Sequence, residues 1–197
     1  MVVVCARAVG RGKEEMPFVV GIDVGIRNMG LCVFDFNTCR VTEWEVISLV
    51  PSGGKYLPSQ NVRYVCDFVD RYRHYFTEAS AVVIERQMRT NMQIVEAVLH
   101  ALNYRSAVVI QPRCVKAHYG LSTRNYRQNK IRATNFAKAF VQNNPGAFAP
   151  GVAEKAFCGP HKKLDDLADA LTLVLYYLDT YSNQLSNEQE FVITESF

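Results

Sequence analysis

The stretch FVVGIDVGIRNMGLCVFDF, residues 18–36, decides the architecture. Phe18–Val24 is a short apolar, β-branched run that closes around an acid, Asp23, and it reads as a buried strand. Gly25–Gly30 supplies a turn, and Leu31–Phe36 reads as a second strand paired with the first as a hairpin. Val41–Leu49 alternates as a third strand with one wet face. A three-strand antiparallel meander is the simplest arrangement of these runs.

Beyond the meander the pattern changes. Residues 51–60 are rich in Ser, Gly and Pro and read as a loop. Apolar residues then recur at helical spacing from Val62 to Phe76, predicting one amphipathic helix over residues 60–77. Ala81–Glu85 is another buried strand ending in an acid, Met92–Leu102 a helix, and Ala107–Gln111 a fifth strand. Residues 117–129 are polar and read as a loop, Ile131–Val141 as a helix, and Leu164–Tyr181 as the clearest helix of the chain. Meandering strands followed by alternating helices and strands predict an α/β fold: a mixed five-stranded sheet, three strands antiparallel and two parallel, with helices on both faces.

The 197 residues suffice for one domain with a buried core and not for two ordinary ones. The expected division is a flexible extension over residues 1–16, one folded domain over 17–181 and an acidic tail over 182–197. No apolar run approaches the roughly 20 residues that span a bilayer, so no membrane association is expected. The six cysteines, at 5, 32, 39, 66, 114 and 158, form no CxxC pair and no zinc spacing. They argue against a disulfide framework and for an intracellular, reducing location.

Charge is distributed unevenly. Between Glu96 and Glu154 there is no Asp or Glu, while Arg105, Arg113, Lys116, Arg124, Arg127, Lys130, Arg132 and Lys138 fall in that interval. One-sided charge of this kind suits a polyanion, because each phosphate neutralised by Lys or Arg releases a counterion.

Acids mark the other pole. Two strands end in a carboxylate, Asp23 and Glu85, and strand C-termini are where α/β folds place their ligands. The last helix opens with Asp165 and Asp166, followed by Asp169. Asp166 and Asp169 lie three apart and project from one helix face. Asp169 sits inside the apolar run LADALTLVL, where a charge is costly unless compensated. Asp165 has a plainer role as a helix-terminal cap. Clustered carboxylates raise one another's pKa, and hard divalent cations remove that penalty. Two such ions roughly 4 Å apart support phosphodiester hydrolysis, one activating water and the other stabilising the leaving 3′-oxygen.

GIDVGIRNMG, AVVIERQ, PRCVK and KKLDDLADAL, in that order, resemble the RuvC-like Holliday junction resolvases, above all the poxvirus and large-DNA-virus type. The resemblance runs from about Phe18 to Tyr181. It implies an RNase H-like fold and a homodimer that places paired symmetric nicks across a four-way DNA junction. It also implies magnesium (Mg2+), two ions per site, with manganese (Mn2+) able to substitute. Asp23, Glu85, Asp166 and Asp169 are implied as metal ligands and catalytic residues. Lys116 and Lys130 fall where the family places lysines near the scissile phosphate; Lys130 is the stronger catalytic candidate. Arg124, Arg127 and Arg132, with Gln87 and Arg89 after the catalytic strand, are the further DNA-contact candidates. Tyr119 and Tyr126 are candidates for stacking on unpaired bases, with ordinary loop packing the alternative. Ile94, Val98 and Leu102 suit either a dimer interface or the core. A viral protein acting in the infected host cell follows from the same resemblance.

Other readings share part of this pattern. An actin-like ATPase or sugar kinase needs a second domain of similar size, which this length does not supply. Another RNase H-like nuclease, processing RNA or cutting RNA–DNA hybrids, would share the acids and differ in substrate. A non-catalytic nucleic-acid-binding module would usually have lost an acid, and all four are present.

Overall fold

The computed structural model describes residues 16–158 and 163–180. The expected extension over 1–16, save Met16, and the expected tail over 182–197 lie outside the described residues. Five strands form one sheet in the order β3-β2-β1-β4-β5. They are β1 (Phe18–Asp23), β2 (Met29–Asp35), β3 (Arg40–Ile47), β4 (Ala79–Glu85) and β5 (Ala107–Ile110). β1 runs antiparallel to β2 and parallel to β4, and β4 runs parallel to β5. The meander and the two parallel strands are thus as the sequence predicts.

β1 lies in the middle with both faces covered, which is why it reads as a continuous apolar run rather than an alternating one. β3 departs from simple alternation. Its register against β2 shifts at Val33/Phe34, where Thr42 is passed over, and the bulge turns both Val41 and Trp44 into the same core.

Helices cover both faces. α1 (Asn61–Arg71), α2 (Arg73–Thr77) and α3 (Thr90–Leu102) pack with Val20, Ile22, Val82 and Ile84 on one side. α4 (Pro112–His118), α5 (Tyr126–Asn143), α6 (Val152–Phe157) and α7 (Leu164–Thr180) pack with Val19, Ala81 and Val83 on the other. The single helix expected over 60–77 is two, broken at Tyr72, whose φ of −109° and ψ of 24° leave the helical region. The Tyr72 hydroxyl instead reaches β3, donating to Glu45 Oε1 at 2.7 Å.

The polar segment 117–129 is not one loop. α4 covers its start and α5 its end, leaving a connection over 119–125. α4 and the first turn of α5 bury a single apolar residue, Val115, so neither shows a periodic stripe. The signals present were Pro112 at the helix start and Asn125, whose side chain accepts from the Arg127 and Gln128 amides as an N-cap. α6 is likewise short, held by Phe157 edge-on to Trp44 at 5.4 Å between ring centroids. Cys39 is disulfide-bonded, so cysteines standing alone is not the rule at that position; Cys32, Cys66, Cys114 and Cys158 are free. Among the described residues no helix is long and apolar enough to cross a membrane.

Candidate metal centre

β1 and β4 are parallel neighbours in register, Ile22 beside Ile84, so Asp23 and Glu85 emerge side by side at one sheet end. α7 brings the other two acids over them. Asp23 pairs with Gly30 of β2, and a Cβ at Gly30 would collide with the Asp166 carbonyl. At Gly21 a Cβ would strike Val174 and crowd the Ala170 carbonyl. Two strand positions without side chains therefore let the helix lie directly against β1 and β2. From the other flank, the buried Trp44 indole donates to the Leu167 carbonyl at 2.8 Å. That bond falls between Asp166 and Asp169 and pins the turn that carries them.

The electrostatics follow from this closeness. Asp23 is only 9% exposed. Burial, then the charges of Glu85 and Asp169, hold its carboxyl well above the usual range. Burial with the Asp165 charge pushes Asp166 up to about 6. Burial likewise takes Asp169 to about 6, with Lys116 opposing the rise and Glu85 adding to it. The Glu85 charge contributes to the rise at all three aspartates, so the four carboxylates lie within electrostatic reach of one another.

Two cations from the acid-free segment reach the same place. Lys116, in the last turn of α4, sets its Nζ 3.5 Å from Asp169 Oδ1. Lys130 pairs with Asp165 and rests over the Tyr126 ring, 5.2 Å from its centroid. It sits inside α5 rather than at its head. The hydrogen bond that Lys130 donates to Asp165 raises its pKa above the ordinary value and so favours the charged amine. Asp165 is thus more than a cap. Burial alone would raise its pKa, but the Lys130 hydrogen bond and charge bring it below the ordinary range.

The remaining candidates divide. Arg89, Arg124, Arg127 and Arg132 are exposed on the surface. Gln87 turns inward, donating from Nε2 to Glu85 Oε2 at 3.1 Å. Tyr119 is engaged in packing: its hydroxyl donates to Asp179 at 2.7 Å and its ring lies against Phe136. Tyr126 is 71% exposed, so of the two tyrosines it alone keeps an open face. On α3 the core is made by Val95 and Leu99, while Ile94 and Leu102 face outward at 41% and 47% exposure.

A divalent cation needs oxygen donors not already spent. Asp166 Oδ2 is buried with no hydrogen-bond partner, and Asp23, Glu85 and Asp169 offer only carboxylate oxygens around it. This donor set fits a hard ion. Among the described residues no three acidic, imidazole or thiol groups stand close enough to enclose one as the side chains lie. Sequence reasoning missed Trp44, which carries no charge and no motif; Gly21 and Gly30, isolated in strands, were the available hints of close approach.

A family model described as the poxvirus A22 protein matches residues 17–181. No curated protein matches the chain. Among solved structures, the yeast mitochondrial Holliday junction resolvase Ydc2 superposes with a TM-score of 0.67 at 16% identity, over 92% of this chain and 85% of that one. The fowlpox virus resolvase, solved with its substrate Holliday junction DNA, gives a TM-score of 0.58 at 17% identity, over 83% of this chain and 98% of that one. At such identities the likeness is one of fold, and that fold is the RNase H-like one expected.

Proposed function

The chain belongs to the poxvirus A22 protein family, and on that premise we propose how its four-acid site works. The protein is an endodeoxyribonuclease that resolves four-way (Holliday) junctions in DNA recombination and replication. The observation that carries this reading is the convergence of Asp23 and Glu85 beneath Asp166 and Asp169, with a buried carboxylate oxygen left unbonded.

The reaction is metal-dependent hydrolysis of a phosphodiester. Asp23, Glu85, Asp166 and Asp169 would hold the ions, and we assign magnesium, two per site, with manganese able to substitute. When bound, such ions supply Lewis-acid polarisation of the phosphate and a more acidic water. The chain's own residues do the rest. Burial and the neighbouring acids hold the Asp23 carboxyl above the usual range, and only its carboxylate form would be a ligand, so acid weakens loading. Lys130 places a permanent positive charge where developing negative charge on the phosphoryl oxygens is stabilised. Lys116 holds Asp169 at Oδ1; with that oxygen given to a bound ion, the lysine would be left to meet phosphate.

Exposed Arg124, Arg127 and Arg132, with Arg89 and the ring of Tyr126, offer contacts to the DNA backbone and to unstacked bases. Two symmetric nicks require two sites, and the protein acts as a homodimer. The outward stripe of Ile94 and Leu102 on α3 supports an interface there. The site of action is the infected host cell.

The test offers the purified protein, with magnesium, a synthetic four-way junction, a linear duplex and an RNA–DNA hybrid. Paired symmetric nicks confined to the junction are expected. Preferential cutting of the hybrid would move the protein to another branch of the RNase H-like nucleases.

A further inference from the structure

Glu96 is a buried acid that the mechanism above does not use. It is 5% exposed, deeper than Asp23 itself, and it stands in the middle of α3. A charge at that depth must be compensated. Its two partners are the two residues that follow Glu85. Arg86 Nη1 donates to Glu96 Oε1 at 3.0 Å, and the Gln87 backbone N–H donates to Oε2 at 2.6 Å. Gln87 then turns back. Its Nε2 donates to Glu85 Oε2 and to the Glu85 carbonyl, each at 3.1 Å. The same turn is tied from two other sides: the Gln93 side chain donates to the Gln87 carbonyl at 3.2 Å, and the Arg86 N–H to Ile110 at 2.8 Å.

We propose that Glu96 is a positioning residue: from α3 it clamps the Arg86–Gln87 turn, so that the Gln87 amide orients the Glu85 carboxylate beside Asp23 for cation binding. The inference rests on the reading of Glu85 as a metal ligand. A carboxylate at a strand end is otherwise free to rotate about its side-chain bonds, and ordering it costs entropy at each binding event. An amide bonded to one of its oxygens, and itself held by a buried charge, removes much of that freedom beforehand. The alternative is an anchor that only fastens α3 to the sheet. Such an anchor predicts loss of stability, with no selective effect on metal affinity.

Wild type, Glu96→Ala, Glu96→Gln and Gln87→Met are compared in four measurements: single-turnover junction nicking, junction affinity without metal, manganese affinity of the protein alone by calorimetry, and thermal melting. Partners of metal ligands typically contribute about 10- to 100-fold, so Glu96→Ala is expected to weaken manganese affinity and slow nicking by roughly tenfold or more. Metal-free junction affinity stays near wild type. Glu96→Gln keeps an acceptor for the Gln87 N–H and recovers most of the rate. Gln87→Met, which leaves the buried carboxylate in place, weakens manganese affinity at an unchanged melting temperature.

Wild-type manganese affinity in Gln87→Met overturns the clamp, even if Glu96→Ala does not fold. So does a rate loss in Glu96→Ala that follows the melting temperature and is not relieved in Glu96→Gln. A wild-type protein that binds manganese yet leaves the junction intact would instead defeat the nuclease reading, and the manganese series would still judge the clamp.

Discussion

The acidic site and the basic segment that serves it are built on opposite principles. At the strand ends, like charges are buried and pressed together, and Asp23, Asp166 and Asp169 all titrate above their ordinary range as a result. Along residues 97–153 the arginines at 124, 127 and 132 are of one sign too, but solvent surrounds each of them. On the proposed reading, buried repulsion would make every acid matter to the ion that relieves it, whereas exposed cations would act additively. Lys116 and Lys130 join the two regions: both come from the basic segment and both contact acids of α7.

The largest effect that tests this contrast is expected at Asp169. Asp169→Asn should lower magnesium-dependent nicking by on the order of a thousandfold or more, as loss of a principal electrostatic group does, while junction binding in a gel-shift assay persists. Near-normal turnover would remove the metal assignment. Next comes Lys130→Ala, which should slow single-turnover nicking by about a hundredfold with a far smaller change in affinity. A pure affinity loss would return Lys130 to the basic region.

The arginines should behave differently. Replacing Arg124, Arg127 or Arg132 by Ala should each reduce the slope of log affinity against log salt by about 0.9 if the residue meets a phosphate. An unchanged slope in all three would place the DNA on another face.

The smallest effect concerns stability without metal. The ordinary aspartate value is 3.8, and Asp166 and Asp169 stand at about 6 in the folded protein. The folded state therefore binds more protons than the unfolded chain over that interval, so these groups favour folding at low pH and oppose it as pH rises past 6. Asp23→Asn removes the central charge. Its melting temperature relative to wild type should climb as pH rises from about 4 through 6, by roughly 2–4 °C for each kcal/mol relieved, and magnesium should erase the difference. A flat difference would mean that the acids do not strain one another.

Much of this was legible beforehand, and the misses share a cause. Strands were readable from Phe18 to Glu85 because burial imposes a local pattern on them. α4, α6 and the first turn of α5 were not, because elements this short bury too few side chains to show a period. At Tyr119 the sequence left stacking and packing open, and only the Asp179 contact, 60 residues away, decides for packing.

The sequence by itself determined which acids end strands and open the last helix, and that a long segment carries only positive charge, since both are properties of neighbours along the chain. Only the tertiary structure decided how they meet. Gly30 admits the Asp166 backbone, Trp44 pins Leu167, Lys116 reaches Asp169, and Glu96 holds the turn behind Glu85. Each of these is a contact between segments that folding brings together, and it has energy only once the intervening chain has been ordered.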